Sequence, residues 1–188
     1  MPDHVLVTGP SRSGKSEWAE CLAAQSQQPV IYIATAIAPP EDTEWLQRIE
    51  QHRARRPPEW ELRECPHGLA PLLRELPSNA CALVDSLGTW VANCLEQSQD
   101  QWQETVTELL ASVQGCAAQL IFVAEEVGWG VVPAYASGRC FRDRLGELCQ
   151  SLSPLMAAVY LVTAGFALPL HKWAIPLKRL GSNRDLLP

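Results

Sequence analysis

The stretch that decides the fold lies near the start of the chain and reads His4-Val5-Leu6-Val7-Thr8-Gly9-Pro10-Ser11-Arg12-Ser13-Gly14-Lys15-Ser16. Its apolar half predicts a strand, and residues 17–24 predict a helix. The junction matches G-x-x-x-x-G-K-[ST], a Walker A motif or P-loop in the strand-to-helix context that the motif requires. Its glycines let backbone N–H groups face anionic phosphates, Lys15 adds charge toward the β- and γ-phosphates, and the Ser16 hydroxyl can ligate Mg²⁺. We therefore expect Gly9 through Ser16 to bind the phosphates of a nucleoside triphosphate.

Further strands and helices are predicted to alternate along the rest of the chain. Most of the strand candidates are nearly continuous apolar runs, as expected for strands covered on both faces of a parallel sheet. The expected fold class is α/β, a RecA-like P-loop fold with a mostly parallel central sheet flanked by helices. The predicted strands are Val5 to Thr8, Val30 to Thr35, Cys81 to Asp85, Leu120 to Ala124 and Val159 to Thr163. The predicted helices are Lys15 to Ala24, Glu41 to Ala54, Trp102 to Cys116 and Arg139 to Leu152.

Composition restricts the class of protein. A chain of 188 residues with 47% hydrophobic residues is expected to form one domain over 1–188, with short strands after Gly165 and a loose tail from about residue 181. The net charge of -6 argues against a nucleic-acid surface. Neither a signal peptide nor an apolar run long enough for a membrane span is visible, which favours the cytoplasm. The seven cysteines form no CxxC pair, so we expect reduced thiols and no zinc site.

A second metal-side group is expected at the end of another central strand. The run from Cys81 ends in Asp85, which is the Walker B candidate and can hold Mg²⁺ directly or through water. A strand-terminal aspartate can equally cap a turn or a helix. The P-loop favours the metal-binding interpretation.

A histidine lies among arginines in the helix predicted from Glu41. His52 shares one face of that helix with Trp45 and Ile49. The simpler, structural interpretation is a histidine packed on a partly buried stripe of the helix. In an acidic protein, however, the surrounding arginines make a cationic phosphate pocket plausible, and a neutral imidazole can act as a nucleophile. Spacing alone leaves both interpretations open. The arginines are Arg48, Arg53, Arg55 and Arg56.

Four separated blocks resemble one family, the bifunctional adenosylcobinamide kinase and adenosylcobinamide-phosphate guanylyltransferase of cobalamin assembly. Two of them, RI-x-x-H-x-x-x-RP and EVG-x-G-x-VP, are more specific than the P-loop, and the resemblance extends from near residue 4 to about residue 165. The blocks are Thr8 to Ser16; Arg48-Ile49-Glu50-Gln51-His52-Arg53-Ala54-Arg55-Arg56-Pro57 with Trp60 and Glu64; Val84-Asp85-Ser86-Leu87-Gly88-Thr89-Trp90-Val91-Ala92-Asn93; and Glu126-Val127-Gly128-Trp129-Gly130-Val131-Val132-Pro133 followed by Phe141-Arg142-Asp143.

The resemblance implies two transfers on a large corrinoid. ATP or GTP phosphorylates the terminal hydroxyl of adenosylcobinamide. A histidine, here His52, then takes GMP from GTP and passes it to adenosylcobinamide phosphate, giving adenosylcobinamide-GDP. Lys15 and His52 are the implied catalytic residues, Ser16 and Asp85 the implied Mg²⁺ ligands, and a homotrimer the implied assembly. The implied nucleotide site comprises Gly9 through Ser16, Ala34, Thr35, Ala36, Arg53, Ala54, Arg55, Arg56, Glu64 and Asp85.

Some positions depart from the pattern associated with that family. Ala124-Glu125-Glu126 stands where Ser-Asn-Glu is usual, Ser86 replaces a cysteine, and Cys149 stands where asparagine often precedes glutamine. The negative charge of a glutamate near phosphates repels them unless Mg²⁺ or an arginine neutralises it. Two alternatives remain beside the two-step enzyme: a simple P-loop kinase without a covalent intermediate, and a nucleotide-sensing module without chemistry.

Overall fold

The fold is built on a seven-stranded sheet, seen in a computed structural model that describes residues 2–37, 41, 47, 49–50 and 53–177. The strands are β1 (Val5–Gly9), β2 (Val30–Ala34), β3 (Glu61–Glu64), β4 (Cys81–Asp85), β5 (Gln119–Glu125), β6 (Ala158–Thr163) and β7 (Phe166–Pro169). Their order is β3-β2-β4-β5-β1-β6-β7. All neighbours are parallel except β6 and β7, which form an antiparallel pair at one edge. The predicted mostly parallel sheet is confirmed.

Six α-helices and one 3₁₀ turn have both ends within the described residues. They are α1 (Lys15–Gln25), α2 (Leu69–Arg74), α3 (Leu87–Asn93), α4 (Gln99–Gly115), α5 (Ala136–Leu152) and α6 (Leu170–Trp173), with the 3₁₀ turn at Ser153–Leu155. Helix α4 begins earlier than predicted because Ser98 and Gln101 form a capping box that satisfies free backbone N–H groups of the first turn. Residues 47, 49–50 and 53–54 are helical, within the predicted helix 41–54, and the helical conformation continues to residue 55. The other residues of that helix, apart from the turn residue 41, and the predicted tail lie outside the described part of the chain.

The sheet is covered on both faces, as its apolar runs predict. Successive residues of β1 alternate between two cores: Val5 and Val7 pack toward α1, whereas Leu6 packs toward the opposite layer. The opposite layer consists of α2 to α5 and includes the fully buried Trp90 of α3. Burial on both faces removes the polar alternation of a one-sided sheet.

Strand β3 and the helices α2, α3 and α6 were not predicted. Helix α6 has only four residues and lies where short strands were expected after Gly165. Strand β3 (ELRE) is polar and largely exposed at the sheet edge, so it lacks the apolar signal of a central strand. Helices α2 and α3 are too short for a clear helical period. They form because their apolar residues pack into the core between the sheet and the layer of helices α2 to α5.

Candidate functional site

The P-loop connects the end of β1 to the first turn of α1. Gly9 is buried, and a Cβ at this position would overlap the carbonyl oxygen of Val162 and lie 2.7 Å from Ser13 Oγ. Gly14 immediately precedes α1 with φ of 88°, in the left-handed region that glycine adopts without strain. Both motif glycines are therefore required by local geometry.

Lys15 lies in the first turn of α1 with only 6% of its surface exposed. Its Nζ donates to the carbonyl oxygen of Pro10 at 3.4 Å, so the ammonium group lies over the loop that the preceding residues form. Ser16 follows it and is partly buried. This arrangement places a cation, a hydroxyl and a helix N-terminus on one side of the loop, which suits a polyphosphate.

The carboxyl ends of four parallel strands meet at the same edge of the sheet as the P-loop. In the register of the sheet, Gly9 faces Glu125, Ala34 faces Asp85, and Ala34 also faces Glu64 on its other side. Open α/β sheets bind their ligands at this edge. The predicted residues of β2, β3 and β4 are thus brought to one edge with the phosphate loop.

Asp85 is held by a tyrosine that the sequence did not single out. The Tyr32 hydroxyl donates to Asp85 Oδ2 at 2.9 Å, and the guanidinium carbon of Arg56 lies 4.0 Å from the centre of the Tyr32 ring. Burial, with the nearby Asp85 charge, raises the pKa of Tyr32 far above 10.0, so the hydroxyl stays protonated and donates. The available signal was the single aromatic residue in the otherwise aliphatic run of β2.

Thr35 links the loops after β2 and β4. It is fully buried, its hydroxyl donates to the Ser86 carbonyl oxygen at 2.6 Å, and it also contacts the Thr89 hydroxyl. The Asn93 side-chain amide donates to the Thr35 carbonyl oxygen at 2.8 Å. These bonds order the backbone beside Asp85, while Ala36 continues the loop in a partly buried position.

The arginine segment reaches the P-loop helix. Arg55 donates to Glu17 at 2.6 Å and to Glu20 at 3.3 Å, and both carboxylates belong to α1. Burial raises the pKa of Glu20, partly offset by the charge of Arg55. Arg53 and Ala54 are exposed beside it, and His52 itself lies outside the described residues.

A second pair of carboxylates follows β5. A Cβ at Gly88 would overlap Glu125 Oε2, so the glycine leaves room for that carboxylate, while Glu126 Oε1 accepts from the Gly128 N–H at 3.1 Å. Burial, with the charges of Glu126 and Glu125, raises the pKa of Cys149 to about 12. Cys149 is therefore a neutral thiol.

The side chains at this edge suit an Mg²⁺ ion bound together with a nucleotide better than a metal ion whose ligands all come from the protein. The described residues contain no group of three or more His, Cys, Asp or Glu side chains that could hold a metal ion. Mg²⁺ bound with a nucleotide needs one or two protein oxygens and takes the rest from phosphates and water. The Ser16 hydroxyl and the Asp85 carboxylate fit that requirement.

Comparison with known sequences gives one family over nearly the whole chain. The family model described as cobinamide kinase / cobinamide phosphate guanyltransferase matches residues 5–170. The bifunctional adenosylcobalamin biosynthesis protein CobP of Pseudomonas aeruginosa is 41% identical over 170 residues, covering 88% of this chain and 95% of that protein. The bifunctional protein CobU of Salmonella typhimurium is 36% identical over 176 residues, covering 86% and 96% respectively.

Comparison with solved structures supports the fold. A protein of Pyrococcus horikoshii OT3 has a TM-score of 0.55 at 9% identity, covering 89% of this chain and 85% of its own. An ATPase from the type III secretion system of pathogenic bacteria has a TM-score of 0.56 at 9% identity, covering 96% and 60%. The predicted P-loop α/β fold is confirmed. Within the described ranges, no helix is both long and apolar enough to cross a membrane.

Proposed function

The chain belongs to the cobinamide kinase / cobinamide phosphate guanyltransferase family, and from this premise we propose that one nucleotide site, centred on Gly9 through Ser16, serves both transfers. The family is bifunctional, so the chain is a transferase of adenosylcobalamin biosynthesis. The sequence resemblance to this family is confirmed.

In the first transfer, the terminal hydroxyl of adenosylcobinamide attacks the γ-phosphorus of ATP or GTP. A new oxygen–phosphorus bond forms, the bond to the β-phosphate oxygen breaks, and the nucleoside diphosphate leaves with the electron pair. Lys15 stabilises charge on the β- and γ-phosphates. Ser16 and Asp85 would hold Mg²⁺, which supplies charge neutralisation across the phosphates when bound.

In the second transfer, an imidazole nitrogen of His52 attacks the α-phosphorus of GTP, and pyrophosphate leaves. An oxygen of adenosylcobinamide phosphate then attacks the same phosphorus, the nitrogen–phosphorus bond breaks, and adenosylcobinamide-GDP forms. Backbone and guanidinium groups of residues 53–56 would stabilise the charge that develops on the attacked phosphate. We place Ala34, Thr35, Ala36 and Glu64 around the rest of the nucleotide, because the sheet brings them to the same edge.

The observation that carries this proposal is the contact of Arg55 with Glu17 and Glu20. Glu17 directly follows Ser16 on α1, and Glu20 lies about one turn further along the helix. Arg55 lies three positions after His52. A chain segment of that length spans at most about 11 Å. We therefore propose that His52 is within reach of the loop that binds the phosphates.

The test uses GTP labelled at the α-phosphate. Wild-type protein should retain acid-labile, base-stable label, and His52→Ala should retain none. His67→Ala is the matched control, because His67 is exposed and its described hydrogen bond uses only the backbone carbonyl. Full labelling of His52→Ala would reject the histidine assignment. Transfer of γ-label to adenosylcobinamide without any retained α-label would indicate a simple P-loop kinase.

We also propose the domain organisation, the assembly and the compartment of the protein. We expect the chain to act as a single nucleotide-binding domain, 1–188, which should unfold in one calorimetric transition. We expect a homotrimer, and light scattering that returned a monomer under active conditions would contradict it. We also place the reaction in the cytoplasm, a reducing compartment in which all seven cysteines can remain unpaired as they are here.

A further inference from the structure

Asn93 joins two loops at the carboxyl edge of the sheet. It is the last residue of α3 and is partly buried. Its side-chain amide nitrogen donates to the Thr35 carbonyl oxygen at 2.8 Å and to the Pro66 carbonyl oxygen at 3.0 Å. Thr35 follows β2 and Pro66 follows β3, so one side chain uses both of its N–H groups on two different loops.

The two loops continue from residues that are proposed to surround the nucleotide. Ala34 and Glu64 are register partners at the ends of β2 and β3. Just beyond them, the Cys65 N–H donates to the Ala34 carbonyl oxygen at 2.7 Å. Among the described residues, this is the last direct backbone hydrogen bond between the two segments. Past it, the hydrogen bonds that connect the loops run through Asn93.

Helix α3 is a fixed support for Asn93. Trp90 and Val91 of this helix are buried in the core, with 2% and 0% of their surfaces exposed. The start of the helix also holds the loop after β2, because the Thr35 hydroxyl donates to the carbonyl oxygen of Ser86, the residue that caps α3. Groups on a rigid element hold a site more precisely than groups on loops. Asn93 therefore fixes both loops relative to the core.

The P-loop lies apart from this arrangement. In the sheet, β4 and β5 separate β2 from β1, and three strand spacings amount to about 14 Å. Within the described part of the chain, residues 9–16 make no hydrogen bond to Asn93 or to either loop that it holds. The contacts to the phosphates and the contacts to the rest of the nucleotide can therefore be perturbed separately.

We propose that Asn93 is a positioning residue for the nucleoside part of the bound nucleotide, which rests on the nucleotide site proposed above. Asn93 acts through the backbone of Thr35 and Pro66. It holds the loops after β2 and β3 at the separation in which Ala36 and Glu64 face the same base and ribose. Without it, a smaller fraction of the protein has the loops in this arrangement, and the apparent affinity for a nucleotide falls by that fraction.

Asparagine suits this position because both of its partners are acceptors. Two carbonyl oxygens require two donors, and a side-chain amide nitrogen carries two N–H groups. In Asn93→Asp, a carboxylate of nearly the same shape places negative charge against both carbonyl oxygens. In Asn93→Ala, both hydrogen bonds are lost without any added charge. The two variants therefore perturb the loops in different ways.

The experiment measures the binding of two ligands by calorimetry in the presence of Mg²⁺. One is the α,β-methylene analogue of GTP, whose P–C–P bridge prevents release of pyrophosphate, and the other is inorganic tripolyphosphate, which has no nucleoside. A lost hydrogen bond shifts an equilibrium by about threefold to tenfold, so both Asn93 variants should raise the Kd of the GTP analogue by about 10-fold or more. The Kd of tripolyphosphate should stay within about threefold of wild type.

Asn79→Asp and Asn79→Ala are the matched controls. Asn79 is exposed and lies just before β4, at the opposite edge of the sheet from the nucleotide site. The controls make the same chemical changes, including the added negative charge of aspartate. Both should leave the Kd of each ligand within about threefold of wild type.

The outcomes separate Asn93 from the rest of the site. A rise above threefold in the Kd of the GTP analogue, with tripolyphosphate binding retained, supports the proposal. A smaller rise in either Asn93 variant overturns it, and so does an equal rise for tripolyphosphate, which would indicate general damage to the fold. A wild-type protein that binds the GTP analogue no more tightly than tripolyphosphate would instead overturn the placement of the nucleoside at β2 and β3, and the role of Asn93 with it.

Discussion

Tyr32→Phe tests the hydrogen bond that holds the predicted metal-binding aspartate. The substitution removes one hydroxyl and keeps the ring, which is 5% exposed and packed beneath Arg56. The lost bond runs from that hydroxyl to Asp85 Oδ2 at 2.9 Å. Hydrogen bonds to charged groups contribute about 1.5–3 kcal/mol, so the free energy of unfolding should fall by about that amount.

The assay is urea denaturation at pH 7 without nucleotide, so that stability is measured independently of catalysis. Tyr160→Phe is the matched control, because the Tyr160 hydroxyl makes no hydrogen bond to any described residue while its ring packs against Trp18. The control should change stability by less than about 0.5 kcal/mol. A double-mutant cycle with Asp85→Asn measures how much the carboxylate charge adds to the pair, since asparagine still accepts a weaker, neutral hydrogen bond.

We expect a coupling free energy of about 1–2 kcal/mol between Tyr32 and Asp85. A Tyr32→Phe variant no less stable than Tyr160→Phe would refute the reasoning, because it would mean that the bond contributes nothing net to the folded state. A coupling near zero with a large single-mutant effect would refute it in another way, by assigning the loss to packing of the ring.

Two further predictions concern His4, which immediately precedes β1, and Gly9 of the P-loop. His4 is 5% exposed, and its ring nitrogens contact the Leu120 N–H at 3.2 Å and the Val113 carbonyl oxygen at 3.1 Å. Burial lowers the pKa of His4 below 6.5, so the unfolded chain binds the proton more tightly and stability declines as the pH falls from 6.5 toward the folded-state pKa. Denaturation curves from pH 7.5 to 5 should show that His4→Gln lacks this part of the decline, and parallel curves would contradict it. Gly9→Ala should lose about 1–3 kcal/mol of stability by calorimetry and bind nucleotide weakly, because its Cβ overlaps the rigid carbonyl of Val162; wild-type stability would show that the loop can open to admit it.

The elements that could be predicted from the sequence carry their signal locally. The Walker A pattern between a strand and a helix specifies the phosphate loop because glycine, lysine and serine each have one task at one spacing. The apolar runs of β4 and β5 predict strands buried on both faces, and the structure confirms this. The family blocks likewise identified the bifunctional transferase family, because they are short patterns read along the chain.

Other elements carry no local signal. Residues Glu61–Glu64 form strand β3 because they pair in parallel with the free edge of β2. Helix α3 forms because Ser86 caps its first turn and Trp90 is buried in the core. The pairing of β3 and the burial of Trp90 depend on partners distant in sequence, whereas the Ser86 cap is local. Predictions for residues 42–46, 48 and 51–52, including His52, remain predictions.

For the P-loop, the sequence by itself was enough to predict phosphate binding at Gly9 through Ser16, because that chemistry lies within eight consecutive residues. Only the tertiary structure decided which side chains complete the site. Tyr32 meets Asp85 across 53 positions, and Arg55 meets Glu17 across 38. Glu125 lies against Gly88 because β4 and β5 are neighbours in the sheet. Such contacts follow from strand order, which the pairing and packing of the whole chain determine, and no local pattern records it.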